Sequence, residues 1–304
     1  MNTWQKITRV TRLHSLIASV LPFCLGILFA LYQYHTLNFF HNVLFFIICC
    51  LMQIIVNLFD TVKDYQNSLK YNLTQEQDGI FKKISSPQEY QRLKYLIYLL
   101  TGIGLVLALW LVVVTSPLIL ILGLTGAAIG YLYSGGPHPI QNGPLGDSAS
   151  GIIMGYIISL ACVLINIAPN QASWSIAGQM IFVAGIAIFA ITNISLANNL
   201  CDYEEDIKFN RFTSVSYLGK EGTLRLYLFN YLLGYGCLLV SIIMHWLPIE
   251  TILVFLTIPL ILKNTKKFWK FQSKQKTFVL TIRNDIAITL TVVLATIIYA
   301  IFPN

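Results

Sequence analysis

Long apolar runs separated by short polar segments dominate this chain. A bilayer core about 30 Å thick needs roughly 20 apolar residues per crossing helix. Runs near that length fall at Leu13–Tyr34, Asn42–Phe59, Tyr95–Val114, Leu118–Tyr133, Gly151–Ala168, Met180–Ala197, Leu224–Met244, Ile249–Leu262 and Ile286–Phe302. They predict an all-α integral membrane protein with nine transmembrane helices, the eighth being short and containing Glu250. The runs are continuous rather than alternating, and lipid leaves no backbone group unpaired, so helices are expected and a barrel is excluded. Tyr, Ser, Thr and Gly inside several runs point to faces turned toward one another or toward a cavity.

Composition strengthens this picture. Of 304 residues, 56% are apolar and 11% charged, with a mean hydropathy of +0.68. A soluble domain carries about a quarter charged residues. A soluble enzyme, a disordered chain and a disulfide scaffold are therefore excluded. Cys24, Cys49, Cys50, Cys162, Cys201 and Cys237 show no CxxC pairing and sit mostly in apolar runs, so they are read as small buried hydrophobes. The basic stretch Met1–Arg12 precedes a run long enough to span and lacking a small-residue cleavage pattern, so a retained helix is expected rather than a cleaved leader.

The net charge of +7 is explained by topology. All 20 Lys and Arg fall in four places: Met1–Arg12, the segment after the second span, the connection from the sixth span to the seventh, and the stretch between the eighth and ninth. Nine crossings put all four on one side. The N-terminus is then cytoplasmic, the C-terminus external, and the basic surface faces anionic lipid rather than nucleic acid. The expected location is the cell membrane, with multiple passes.

Two acidic clusters at equivalent cytoplasmic helix ends are not explained by lipid. Asn57, Asp60 and Asp64 leave the second span, and Asn198, Asp202 and Asp206 leave the sixth. Spacings of three and four residues stack each set on one helical face. Stacked like charges destabilise a helix, more so near the membrane interior, and call for a cation. Hard oxygen ligands suit Mg²⁺, which binds one or two carboxylates and takes further ligands from substrate phosphates; two such clusters could clamp a diphosphate between metals. The plain alternative is a pair of solvated helix ends, and recurrence at equivalent ends weighs against it. That equivalence also suggests pseudo-repeated four-helix halves plus a ninth helix.

A third segment, Tyr133–Asp147, lies on the same side, is rich in Gly and Pro, and contains no Lys or Arg. Such a stretch cannot be helical. It is either a plain turn or a cap over a cavity mouth with Tyr133 and Ser134 turned inward. His138 reads as a loop residue rather than a base. Asp285, near the start of the ninth span, is either functional or paired with Arg283.

These segments together resemble the UbiA superfamily of membrane prenyltransferases, and most of all its MenA branch, the 1,4-dihydroxy-2-naphthoate polyprenyltransferases. Leu196–Thr213 is similar to the family's second Asp-rich motif with its trailing Asn-Arg-x-Thr, and Tyr133–Ile140 with Pro144–Gly146 resembles the Tyr-x-Gly-Gly-Pro-x-Pro-Ile…Pro-Leu-Gly segment of MenA. Arg12-Leu-His-Ser-Leu with Pro22 resembles the family's first-helix motif. The first Asp motif departs from the pattern. Asp60 stands where Asn is usual, Lys70 stands at a later Asp position, Asp78 is a late substitute, and Phe212 replaces a common basic residue.

The resemblance implies one transmembrane prenyltransferase domain over 1–304, a helical bundle around a central cavity, with motif segments near 57–94, 133–149 and 198–222 at the cytoplasmic face. It implies that Mg²⁺ joins both Asp clusters to a polyprenyl diphosphate, whose prenyl group replaces the carboxylate of 1,4-dihydroxy-2-naphthoate with release of CO₂. Implied metal ligands are Asp60, Asp64, Asp202 and Asp206, supported by Asn57 and Asn198. Arg12, Lys208 and Arg211 are diphosphate candidates that could equally be topology anchors, and Tyr133, Asp202 and Asp206 would act at the reaction centre. Other readings remain open: another aromatic acceptor, a non-catalytic relative, or a secondary transporter with paired polar sites between repeats.

Overall fold

The computed structural model describes residues 11, 16–70, 84, 86–135, 138–208 and 211–302, with the side chains of 17, 64, 67, 68 and 70 outside the description. The described residues form helices and connections without strands. In chain order these are α1 (Ile17–Tyr34), α2 (Phe39–Lys70), α3 (Pro87–Val114), α4 (Pro117–Ser134), α5 (Gly146–Leu164), α6 (Trp174–Val183), α7 (Gly185–Lys208), α8 (Ser214–Ile243), α9 (Ile258–Lys270) and α10 (Phe278–Ile301). Short 3₁₀ segments at Ile140–Asn142, Pro169–Gln171 and Ile249–Thr257 join them.

Local sequence explains the boundaries. Pro87 and Pro117 open α3 and α4, where a missing N–H costs nothing, and the preceding Ser86 and Ser116 hydroxyls accept from Glu89 and Leu118 N–H at 3.2 Å each. Ser173 does the same for Ile176 at the start of α6. Inside α8, Gly219 adopts φ +69°, ψ 166°. That left-handed setting favours glycine and sets the first turn, from Ser214 to Leu218, apart from the rest of the helix.

Six described helices are long and apolar enough to cross a membrane, or seven when α6 and α7, bent by 54°, count as one span. The shorter α1 and the Ile249–Thr257/α9 pair account for the first and eighth predicted spans. Nine uninterrupted helices are therefore not what the described residues form. In the eighth, Pro259 has no N–H to offer the Phe255 carbonyl, so a regular helix cannot run through, and a 3₁₀ stretch precedes α9.

The chain divides into two compact units, one of Val43–Val114 with residues of Met1–Leu16, the other of Ile17–Asn42 with Thr115–Asn304. In the first, α2 and α3 pack through Leu58, Val62 and Ile97 against Ile54, Ile55, Tyr90, Leu93 and Leu100. Tyr95, Leu99, Val106, Trp110 and Val113 remain exposed on α3, as lipid-facing side chains do. All six cysteines are free.

In the second unit, α5 lies against α7 with almost no side chain between them. A Cβ on Gly151 would meet Thr192 Oγ1 at 2.1 Å, and one on Gly155 would meet Ile188 Cα at 2.6 Å. Only glycine permits that approach. A π-helical turn over Ile152–Ile157 runs beside this contact. Buried amides join other helices: Asn230 Nδ2 donates to Asn193 Oδ1 (2.9 Å), Asn264 Nδ2 to Asn284 Oδ1 (2.8 Å), and Asn284 Nδ2 to the Tyr231 hydroxyl (3.0 Å). Satisfied polar pairs of this kind hold helices together where hydrophobic burial offers no preference over lipid.

Candidate functional site

The second acidic cluster occupies the last three turns of α7. Asn198 and Asp202 are one helical turn apart, and Asn198 Nδ2 donates to Asp202 Oδ2 at 3.1 Å. Lys274, from the 271–277 connection between α9 and α10, reaches the same pair. Its Nζ donates to Asp202 Oδ2 at 2.5 Å and to Asn198 Oδ1, and it lies 5.0 Å from the Phe278 ring centroid. A cation thus sits where the sequence calls for one. In the sequence Lys274 is one of many basic residues, and nothing in its local spacing ties it to a position 72 residues earlier.

Asp206 behaves differently. It is 5% exposed, its Oδ1 faces Arg211 Nη1 at 3.5 Å, and its backbone carbonyl accepts from Arg211 N–H at 2.9 Å. Arg211 thereby lies against the end of α7. Asp206 Oδ2, Arg211 Nε and Thr213 Oγ1 are buried with no hydrogen-bond partner. Buried polar atoms are almost always satisfied, so these three are open to a further hydrogen-bond partner. Lys208 is exposed at the α7 C-terminus, where its charge suits the helix dipole. Glu204 pairs with Lys220 at 3.3 Å on the surface.

Behind this cluster lies a residue the sequence reading passed over. Asp147, in the first turn of α5, is 2% exposed and accepts from Asn199 Nδ2 at 2.7 Å and from the Ser214 hydroxyl. In sequence the Gly-Pro segment ending there displays its backbone stiffness more plainly than the one carboxylate it contains. Tyr133 is half-buried at the end of α4, and His138 is exposed in the loop.

The first cluster belongs to the other compact unit. Asn57 is buried and donates through Nδ2 to the Thr11 carbonyl at 2.9 Å, while Thr61 Oγ1 donates to the Asn57 carbonyl at 2.9 Å. Asp60 is half-buried. α2 continues to Lys70, so Asn57, Asp60 and Asp64 do lie on one continuous helix. The Asp64 side chain, Arg12 and Asp78 lie outside the described residues. Asp285 is 1% exposed, and neither carboxylate oxygen has a hydrogen-bond partner. Pairing with Arg283, which is exposed, is not observed.

The donors at the α7 end are hard oxygens, and the orphaned Asp206 Oδ2 leaves one of them available, which fits Mg²⁺. Among the described residues no three His, Cys, Asp or Glu side chains gather as a metal-binding group. Mg²⁺ does not need such a cage, since it is held by one or two carboxylates plus phosphate and water.

The chain matches the UbiA prenyltransferase family over residues 19–284. It belongs to that family. It is 31% identical over 273 residues to the 1,4-dihydroxy-2-naphthoate octaprenyltransferase of Bacillus subtilis (strain 168), covering 87% of this chain and 82% of that one. Among solved structures it shares its fold with a UbiA homolog from Aeropyrum pernix K1, with a TM-score of 0.71 at 15% identity, covering 93% of this chain and 98% of the other. A second UbiA homolog, from Archaeoglobus fulgidus and bound to DMAPP and Mg²⁺, gives a TM-score of 0.63 at 15% identity, covering 96% and 99%. The UbiA family match spans both compact units, and with it both acidic helix ends.

Proposed function

We propose that this protein transfers a polyprenyl group from polyprenyl diphosphate to 1,4-dihydroxy-2-naphthoate, releasing diphosphate and CO₂ and forming demethylmenaquinol, in menaquinone biosynthesis. The observation that carries the reading is the 31% identity, sustained over 87% of the chain, to the B. subtilis octaprenyltransferase. The acidic α7 end supports it, as does the A. fulgidus homolog bound to DMAPP and Mg²⁺.

In this reading Asp202 and Asp206, with Asn198 beside them, hold Mg²⁺ at the α7 end, and Asp60 and Asp64, supported by Asn57, do so at the α2 end. Mg²⁺, when bound, supplies the positive charge that stabilises the departing diphosphate. Arg211 adds a fixed guanidinium, and its unpartnered Nε is free to donate to a phosphate oxygen. Lys208 adds a further positive charge at the α7 end, and Arg12 remains a diphosphate candidate from its sequence motif. The allylic C–O bond breaks with its electron pair leaving on the diphosphate. The ring carbon bearing the carboxylate attacks the allylic cation, and loss of CO₂ returns the electron pair that restores the aromatic ring. Aromatic side chains, Tyr133 among them, shield the cation from water. The reaction takes place at the cytoplasmic face of the cell membrane, the side on which every basic segment falls.

The test is expression in a host lacking its own enzyme, followed by mass spectrometry of the extracted quinones. Appearance of menaquinones is expected. A different prenylated aromatic would reassign the acceptor, and absence of any prenylated product together with solute counterflow would favour a transporter.

A further inference from the structure

Asp147 carries more than the reading above uses. A carboxylate buried in the first turn of an apolar helix is costly unless it is hydrogen-bonded, and this one is met by side-chain donors far away in sequence, Ser195 of α7 among them. Asn199 comes from α7 and Ser214 from the first turn of α8, 52 and 67 residues from Asp147. Bonds to an ionised acceptor are about twice as strong as neutral ones and more demanding in geometry.

The placement of those two donors matters. Asn199 and Asp206 are seven residues apart, two turns along the same face of α7, and this is the face that Gly151 and Gly155 of α5 press against at Thr192 and Ile188. Ser214 follows Arg211 by three residues. The 211–214 turn is thus pinned at one end by the Arg211 N–H on the Asp206 carbonyl and at the other by Ser214 on Asp147. Between those pins lie Arg211 Nε and Thr213 Oγ1, which are buried and unpartnered like Asp206 Oδ2. Asp206 holds Arg211 from one side, and Asp147, through Ser214, holds the other end of the turn.

We infer that Asp147 is the positioning residue of the second acidic cluster: by holding Asn199 and Ser214 it fixes the 211–214 turn against the end of α7, so that Asp206 and Arg211 face the diphosphate end of the donor substrate. The inference rests on the prenyl-transfer reading for the identity of that ligand. Asp147 touches neither substrate nor metal, and its influence is confined to the donor.

Two measurements on the full-length protein in detergent micelles test this: calorimetric binding of geranylgeranyl diphosphate with Mg²⁺, and the separate KM values for polyprenyl diphosphate and dihydroxynaphthoate. Asp147→Ala is expected to weaken diphosphate binding and raise the donor KM by about tenfold to a hundredfold, the range for groups that orient metal ligands, with the acceptor KM unchanged. Asp147→Asn should recover much of the loss, because the Asn199 amide can flip and the Ser214 hydroxyl can rotate to match it. Ser214→Ala, which leaves the carboxylate in place, should shift the donor KM in the same direction by a few-fold, and it serves where Asp147→Ala fails to insert. A lower melting temperature with unaltered donor binding in these variants would reduce Asp147 to a packing residue and overturn the inference. If the wild-type protein binds the diphosphate but does not prenylate dihydroxynaphthoate, the acceptor assignment fails while this inference stands. If it binds no diphosphate, both fall.

Discussion

The ends of α2 and α7 carry the same stripe of an asparagine and two aspartates, yet the surrounding chain treats them differently. At α7 the helix stops at Lys208, and each carboxylate meets a cation brought from elsewhere: Lys274 on Asp202 and Arg211 on Asp206. At α2 the helix runs on to Lys70 and the asparagine is turned to the backbone of Thr11. Similar helical spacing therefore specifies an acidic face but not its use. At α7, Arg211 comes back to the Asp206 carbonyl, and Asp147 holds Ser214 behind it.

The comparison can be broken most directly at α7. Asp202→Ala and Asp206→Ala should each lower prenyl transfer by about a thousandfold or more, at the upper end of the loss from removing one charge-stabilising group, with membrane insertion intact by protease protection. Near-normal turnover in both would dissolve the distinction. Removing divalent ions with EDTA should likewise stop turnover until Mg²⁺ is restored, as measured by diphosphate release.

At the other helix, Asp60→Ala should cost about a hundredfold in kcat/KM if α2 contributes metal ligands of its own; unchanged kinetics would leave α7 as the sole metal-binding end. Asn198→Ala is milder, with an expected rise of about tenfold in the Mg²⁺ concentration for half-maximal rate. Smallest is Lys274→Met. Since the ammonium occupies Asp202 and Asn198, its removal should tighten Mn²⁺ binding by a few-fold, read by electron paramagnetic resonance without substrate. Weaker binding would instead make Lys274 a partner of the bound metal site.

Much of the fold was legible in the chain because membrane helices are written in long apolar runs and shared helical faces in three- and four-residue spacing. The stacking of Asn198, Asp202 and Asp206 on one face of α7 was readable for that reason, and the structure adds the Asn198–Asp202 hydrogen bond. Other features depend on contacts distant in sequence. Asp147 and Lys274 gain their meaning only when α5 and the 271–277 connection meet α7. The eighth span misled because hydropathy counts Pro259 as one more residue in an apolar run, whereas the backbone registers a missing donor. Similarly, the 54° bend between α6 and α7 leaves no mark on average hydropathy.

The glycine contact between α5 and α7 has a mechanical consequence. Where two backbones touch directly there are no rotamers to rearrange, so the joint has no soft coordinate along which to open by degrees. Asp147 and Asn199 lie at one end of that joint and inherit its stiffness. Warming or a change of bilayer thickness should therefore loosen the lipid-facing side of α3 well before it disturbs the α5–α7 pair, and a bulky side chain at position 151 or 155 would pry apart the anchorage of the acidic end without altering any residue in it.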